Sequence, residues 1–100
     1  MIAIGVDTGA DGALAKIEFT DINRWTTTRK FPNAERGLNC LQLIQLVCEF
    51  APIGSHVWIE RNTGRPGEVP DFAFRHGLNT GQLLMAFTCA GCIVHEVSPT

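Results

Sequence analysis

One hundred residues, 45% of them hydrophobic, make a single domain with enough apolar material for a real core, so neither a second lobe nor a disulfide scaffold is called for. A net charge of −2 and a pI near 5.8 exclude the overall basic excess of a typical nucleic-acid-binding domain, although six of the eight cations are arginines, the better residue for bidentate phosphate contacts. No apolar run approaches the roughly 20 residues needed to span a bilayer, and Met1 leads straight into a strand, so the expectation is a soluble cytoplasmic protein with no membrane contact.

The apolar run from Ile2 to Asp7 favours a first strand, and Gly9 with Asp11-Gly12 predicts a tight turn into a second from about Ala13 to Phe19. Asp21-Ile22-Asn23 is a further turn, and the threonines and aromatics of Trp25 to Phe31 predict a third strand. Pro32-Asn33 breaks it. Leu38, Leu41, Ile44, Leu46, Val47 and Cys48 then recur at spacings near three and four, the pattern of an amphipathic helix that ends before Pro52.

Ser55 to Glu60 is a fourth strand, followed by a Gly/Pro-rich loop from Arg61 to Pro70. A second helix is expected from an N-cap at Asp71 through Phe72, Phe74, Leu78, Leu83, Leu84, Met85 and Phe87, stopped by Gly91, and Cys92 to Val97 reads as a fifth strand. A helix between strands four and five implies a right-handed parallel crossover, and strand four then pairs beside strand one.

That order predicts an α/β fold with a five-stranded mixed sheet, strand order 3-2-1-4-5, and two helices. It sets Asp7, closing strand one, beside Glu60, closing strand four, in the crevice at the carboxyl ends of parallel strands where open α/β sheets place their chemistry. Two carboxylates there are the natural ligands of a hard divalent cation. The bland alternatives are a turn-forming Asp7 ahead of Thr8-Gly9 and a solvated Glu60. Arg61, Arg65, Arg75 and His76 are candidates for a phosphate-contacting rim, weighed against ordinary solvated charge.

Cys40, Cys48, Cys89 and Cys92 fall in apolar segments and are expected to pack as small hydrophobes; the Cys89-x-x-Cys92 pair lacks two further ligands at zinc spacing. His56 and His95 read as hydrogen-bonded structural histidines, and Trp25 and Trp58 as packing residues.

The stretch Gly5-Val6-Asp7-Thr8-Gly9-Ala10-Asp11-Gly12-Ala13-Leu14-Ala15, then Val57-Trp58-Ile59-Glu60-Arg61, Arg65-Pro66-Gly67, a helix holding Phe74 and Gly77, and Val97-Ser98-Pro99 resembles the ribonuclease H-like fold and, within it, the RuvC-type Holliday-junction resolvases, especially those of phages. The resemblance covers most of the chain. It implies that Asp7 and Glu60 coordinate Mg²⁺ or Mn²⁺, that metal-activated water attacks a DNA phosphodiester, branched or duplex, with two metals about 4 Å apart, and that the protein is a homodimer.

It also implies further acids on a helix beyond the fifth strand, where this chain stops at Thr100; Asp11, Glu68, Asp71 and Glu96 are the substitutes within reach of the sequence. A non-catalytic nucleic-acid-binding or interaction module of the same fold is the alternative. The Asp7 to Gly12 stretch is also similar to the first phosphate loop of the sugar-kinase, Hsp70 and actin ATPases, which close two lobes on a nucleotide where this chain supplies part of one.

Overall fold

The computed structural model describes residues 1–8, 12–31, 33–34, 37–38, 40–60, 67 and 69–97, with all of their side chains except those of residues 33, 34, 37, 38, 72 and 76. Three strands open the chain as an antiparallel meander: β1 (Ile2–Asp7), β2 (Ala13–Phe19) and β3 (Arg24–Lys30). A two-residue pair, β4 (Asn33–Ala34) and β5 (Gly37–Leu38), precedes helix α1 (Cys40–Phe50). Then come β6 (His56–Glu60), helix α2 (Pro70–Cys89) and β7 (Ile93–Val97).

The main sheet runs β3-β2-β1-β6-β7, with β6 parallel to both β1 and β7, which is the expected order once the small β4–β5 hairpin is set aside. Strand boundaries fall within a residue of expectation.

Three expectations are corrected. Leu38 belongs to the β4–β5 hairpin and not to α1, because Gly37 and Leu38 pair back on Ala34 and Asn33 and the helix starts two residues later. The N-cap of α2 is Val69, with extended backbone and no side-chain cap; Pro70, whose fixed φ suits the first helical position, starts the helix and leaves Asp71 as a first-turn acid facing the positive helix end. Cys40, Cys48 and Cys89 are exposed and not core residues, whereas Cys92, half-buried, packs against the core cluster as expected. The three exposed ones sit on helix flanks that border an open groove between α1 and α2.

The stop at Gly91 holds as expected. Ala90 caps α2, Gly91 takes φ 83°, its N–H donates to Thr88 O (3.1 Å) and the Cys92 N–H to Phe87 O (3.1 Å), the two bonds of a Schellman motif that satisfy the last carbonyls.

Alternation along the strands splits the sheet into two unlike faces. Ile4, Val6, Leu14, Val57 and Ile59 point to one face and join Leu43, Val47 and Phe50 of α1 and Leu83 and Phe87 of α2 in one buried cluster. Each fully buried side chain of this size contributes roughly 1.5–3 kcal/mol relative to exposure. Both helices therefore cover the same face. The opposite face carries Ala3, Gly5 and Asp7 of β1, His56, Trp58 and Glu60 of β6 and His95 of β7, and no described helix covers it.

Candidate active site

Register brings the two acids together. Val6 pairs with Ile59 in the parallel β1–β6 ladder, so Asp7 and Glu60, one residue further on each strand, occupy neighbouring positions at the carboxyl end of the sheet. Adjacent strands lie about 4.8 Å apart. Because Val6 and Ile59 point into the core, Asp7 and Glu60 both point to the open face, and both are exposed.

One row deeper on that face, Trp58 opposes Gly5 on one side and His95 on the other. The absent side chain at Gly5 leaves open space, with nothing within 4 Å of where a Cβ would stand, while the Trp58 and His95 rings stack at 4.9 Å and 16°.

From the next row, where it pairs with Ala3 and Ile93, His56 reaches His95 diagonally through a 3.0 Å contact between its Nδ1 and the His95 Nε2. The two imidazole planes are within 9° and their centroids 5.3 Å apart, about the bond length plus two ring radii. The rings thus lie edge to edge in nearly one plane, the geometry of an N–H···N hydrogen bond and not of a face-to-face stack. One nitrogen donates and the other accepts, so the hydrogen-bonded structural role expected of both histidines holds. The cross-strand ladder that joins them to Trp58 is invisible until the β6–β7 register is known, though their alternate positions 56, 58 and 95 in two strands were its only sequence signal.

The carbonyl end of β1 is packed from the other side. An added Cβ at Gly12 would meet the Asp7 carbonyl oxygen and two ring carbons of Phe31 at 2.7 Å, so glycine is what allows the second strand to start this close to Asp7. Phe31 is buried, and its N–H donates to the Gly12 carbonyl at 3.2 Å.

The substitute acids fare unequally. Glu96 pairs with Ile59 and so shares the helix-covered face, opposite to Asp7 and Glu60. Asp71 is exposed in the first turn of α2. Asp11 and Glu68 lie outside the described residues, as do Arg61, Arg65 and the Gly9 to Asp11 part of the phosphate-loop-like stretch. Arg75 is exposed in the second turn of α2; His76 follows it in the helix, its side chain outside the description.

Among the described residues no group of three or more His, Cys, Asp or Glu side chains is arranged to hold a metal. Two exposed carboxylates on one face nevertheless suit Mg²⁺, which usually keeps several waters and takes only one or two protein carboxylates together with substrate phosphates. The pair fits a largely hydrated hard cation better than a caged one.

Trp58 packs on His95 but remains partly exposed, and Trp25 stands half-exposed on an edge strand, so the packing role expected of both tryptophans holds in part for the first and not for the second. No described helix is long and apolar enough to cross a membrane.

No protein-family model and no curated protein matches this sequence. Solved structures match in fold. Thermus thermophilus RuvC in complex with a Holliday junction substrate aligns with a TM-score of 0.66 and 16% identity over 99% of this chain. A second Thermus thermophilus RuvC structure aligns with a TM-score of 0.53 and 17% identity over the same 99%. This chain spans 64% of the length of either. At these identities the likeness establishes the fold: a RuvC-like, ribonuclease H-like mixed sheet.

Proposed function

We propose that the chain is a divalent-metal-dependent DNA endonuclease of the Holliday-junction resolvase type, related to the phage enzymes and acting in the cytoplasm. The single observation that carries the reading is the pairing of Asp7 and Glu60 on adjacent parallel strand ends, on the open face of a sheet whose order is that of RuvC. Their carboxylates are proposed to hold Mg²⁺ or Mn²⁺, which when bound activates water and offsets charge on the scissile phosphate.

The strands do the rest. Asp7 and Glu60 sit on backbone fixed by the β1–β6 ladder, so neither has to be ordered at the moment of reaction, and the Trp58–His95 stack gives the acids a rigid apolar flank. Arg61, Arg65, Arg75 and His76, which follow Glu60 in the sequence, are proposed to hold the sugar-phosphate backbone in place without reading bases.

The test is cleavage of a labelled four-way junction and a matched linear duplex in Mg²⁺ or Mn²⁺. Metal-dependent cutting that disappears in both Asp7→Asn and Glu60→Gln is the expected result; cutting that survives either substitution overturns the assignment. One observation favours a second reading, a DNA-binding module of the same fold without catalysis: no third ligand joins the pair among the described residues. Clean protein that binds the junction and never cuts it selects that reading.

Self-association belongs to the same proposal. Around an apolar groove of about 630 Å³ between α1 and α2, Ile44, Leu78 and Met85 stand exposed, and the proposed occupant is a second copy of this chain. A patch offering both the holes of Gly77 and Gly81 and the ridge of Leu78 and Met85 has the self-complementarity that a two-fold interface needs. Sedimentation should show a dimer that Met85→Glu converts to monomer; a monomeric wild type refutes it.

A further inference from the structure

Charge is distributed unevenly in a way the proposed site does not use. Strand β3 carries Arg24, Arg29 and Lys30 and no acid, +3 in seven residues, in a chain of net −2, so everything else sums to −5. β3 is also one of the sheet's two edge strands. All three cations are exposed, and among the described residues none of them has an ion-pair partner; the ion pair found there joins Lys16 to Glu18 at 3.7 Å.

Charged edges, lysine above all, guard against strand-to-strand aggregation, a role that Lys30 alone would fill without the two arginines. Two arginines and a lysine without an acid, on an otherwise acidic chain, also offer the contacts that suit phosphates.

Register says where the run leads. Asp7 pairs with Ala13, and Ala13 with Lys30, so Lys30 lies in the same cross-strand row as the acid pair, two strands from Asp7, about 10 Å. Arg24, Thr26, Thr28 and Lys30 alternate onto one face, that of Asp7 and Glu60, giving two cations with two hydroxyls between them. Arg29 stands on the other face of the same edge.

The strand is about 20 Å long, the axial span of roughly six phosphates of one strand of B-form DNA. The nearest acids do not cancel it: Glu18 opposes Trp25 on the helix face and is bonded to Lys16, and Asp21 lies in the turn before the strand.

We propose that β3 is a sugar-phosphate track that leads a DNA arm along the open face toward Asp7 and Glu60. The proposal rests on reading the chain as a DNA-acting protein, but it concerns binding and not cleavage. The experiment titrates NaCl against binding of a fluorescent four-way junction, a matched duplex and heparin, in EDTA. It compares the wild type, the triple variant Arg24→Gln/Arg29→Gln/Lys30→Gln, and a control, Gln45→Glu/Thr88→Glu, that lowers net charge on the helices.

Each phosphate contact adds about 0.9 to the slope of log K against log salt, so loss of the two open-face cations should take roughly 1.8 from the duplex slope, rising to at most about 2.7 with Arg29 reaching round the edge, with the control close to wild type. Circular dichroism and a melting curve confirm that each variant folds.

An unchanged slope in the folded triple variant overturns the track. So does a control that loses as much as the triple, which would make net charge and not position the cause. A loss confined to heparin, with duplex binding intact, overturns it as well. Loss of cutting in Asp7→Asn with the salt slope intact bears on the nuclease alone, and failure to cut in a protein whose binding still depends on β3 leaves the track standing.

Discussion

Gly12→Ala is the sharpest probe of how the site is held. The added methyl would meet two Phe31 ring carbons at 2.7 Å and the Asp7 carbonyl oxygen besides, distances that real side chains do not tolerate, and the Phe31 ring is buried with little room to retreat. Overpacking of this kind typically costs about 1–3 kcal/mol. A loss of about 2 kcal/mol in a chain of this size lowers Tm by roughly 8–16 °C.

Phe31→Leu should relieve the ring clash, so the double variant should be more stable than the sum of the single effects by about 1–2 kcal/mol, a coupling expected only of residues in contact. Urea denaturation and thermal melting of the four proteins measure it. A Gly12→Ala protein that melts with the wild type, or effects that add, would refute the argument that glycine is required there by Phe31 and Asp7. Because the same methyl presses on the Asp7 carbonyl, Mn²⁺ binding at the proposed Asp7–Glu60 site, read by relaxation, should weaken in Gly12→Ala and recover in part in the double variant.

Other expectations follow from the same geometry. Leu83→Ala should cost about 2–5 kcal/mol and Phe87→Ala about 3–5, both side chains being fully buried, whereas Met85→Ala, on the exposed flank of the same helix, should cost under about 0.5 when the chain is held monomeric; chemical denaturation distinguishes them. Gly91→Ala should lose about 1–2 kcal/mol, since φ 83° disfavours any L side chain and its Cβ would stand 3.2 Å from Ile53 Cγ2; a neutral substitution would show that the α2 stop does not depend on glycine.

Desolvation by burial, with the neighbouring Cys48 adding to it, pushes the Cys92 thiol above its ordinary pKa, so less of it is thiolate at any given pH. Alkylation followed by peptide mass spectrometry should find Cys92 reacting later than Cys40 and Cys89 as pH rises, and the reverse order would contradict that placement.

What was legible in the sequence was what local pattern governs. β1 and β2 came out residue for residue because Ile2–Asp7 and Ala13–Phe19 are apolar or alternating runs bounded by turn residues, and the β6–α2–β7 crossover followed from a helix between two strands. From those two facts Asp7 and Glu60 could be set side by side, as they are. The failures share one cause, that local preference does not say what a surface meets. Leu38 fits the spacing of α1, but a two-residue hairpin claims it first. Asp71 makes a good N-cap, but Pro70 is better used at the first helical position. Cys40, Cys48 and Cys89 are apolar enough for a core, yet their helices present them along a groove, and Trp25 has strand propensity on a strand that turned out to lie at a sheet edge. The His56–Trp58–His95 ladder needs register, which no local window contains.

Register is also what ties the core to the site. Along β1 and β6 buried and exposed residues alternate with period two, Val6 then Asp7, Ile59 then Glu60, so the hydrophobic face and the acidic positions are set by one choice of pairing. Sliding either strand by a single residue would drive Asp7 or Glu60 into the apolar cluster and lift Val6 or Ile59 to the surface. Burying an unpaired carboxylate there costs several kcal/mol on top of the lost burial. The helix-side cluster of Ile4, Val57, Leu83 and Phe87 therefore acts on the open face without touching it: the free energy that packs one side of the sheet is what holds the two carboxylates, the ladder beneath them and Arg24 and Lys30 of β3 in one row order on the other.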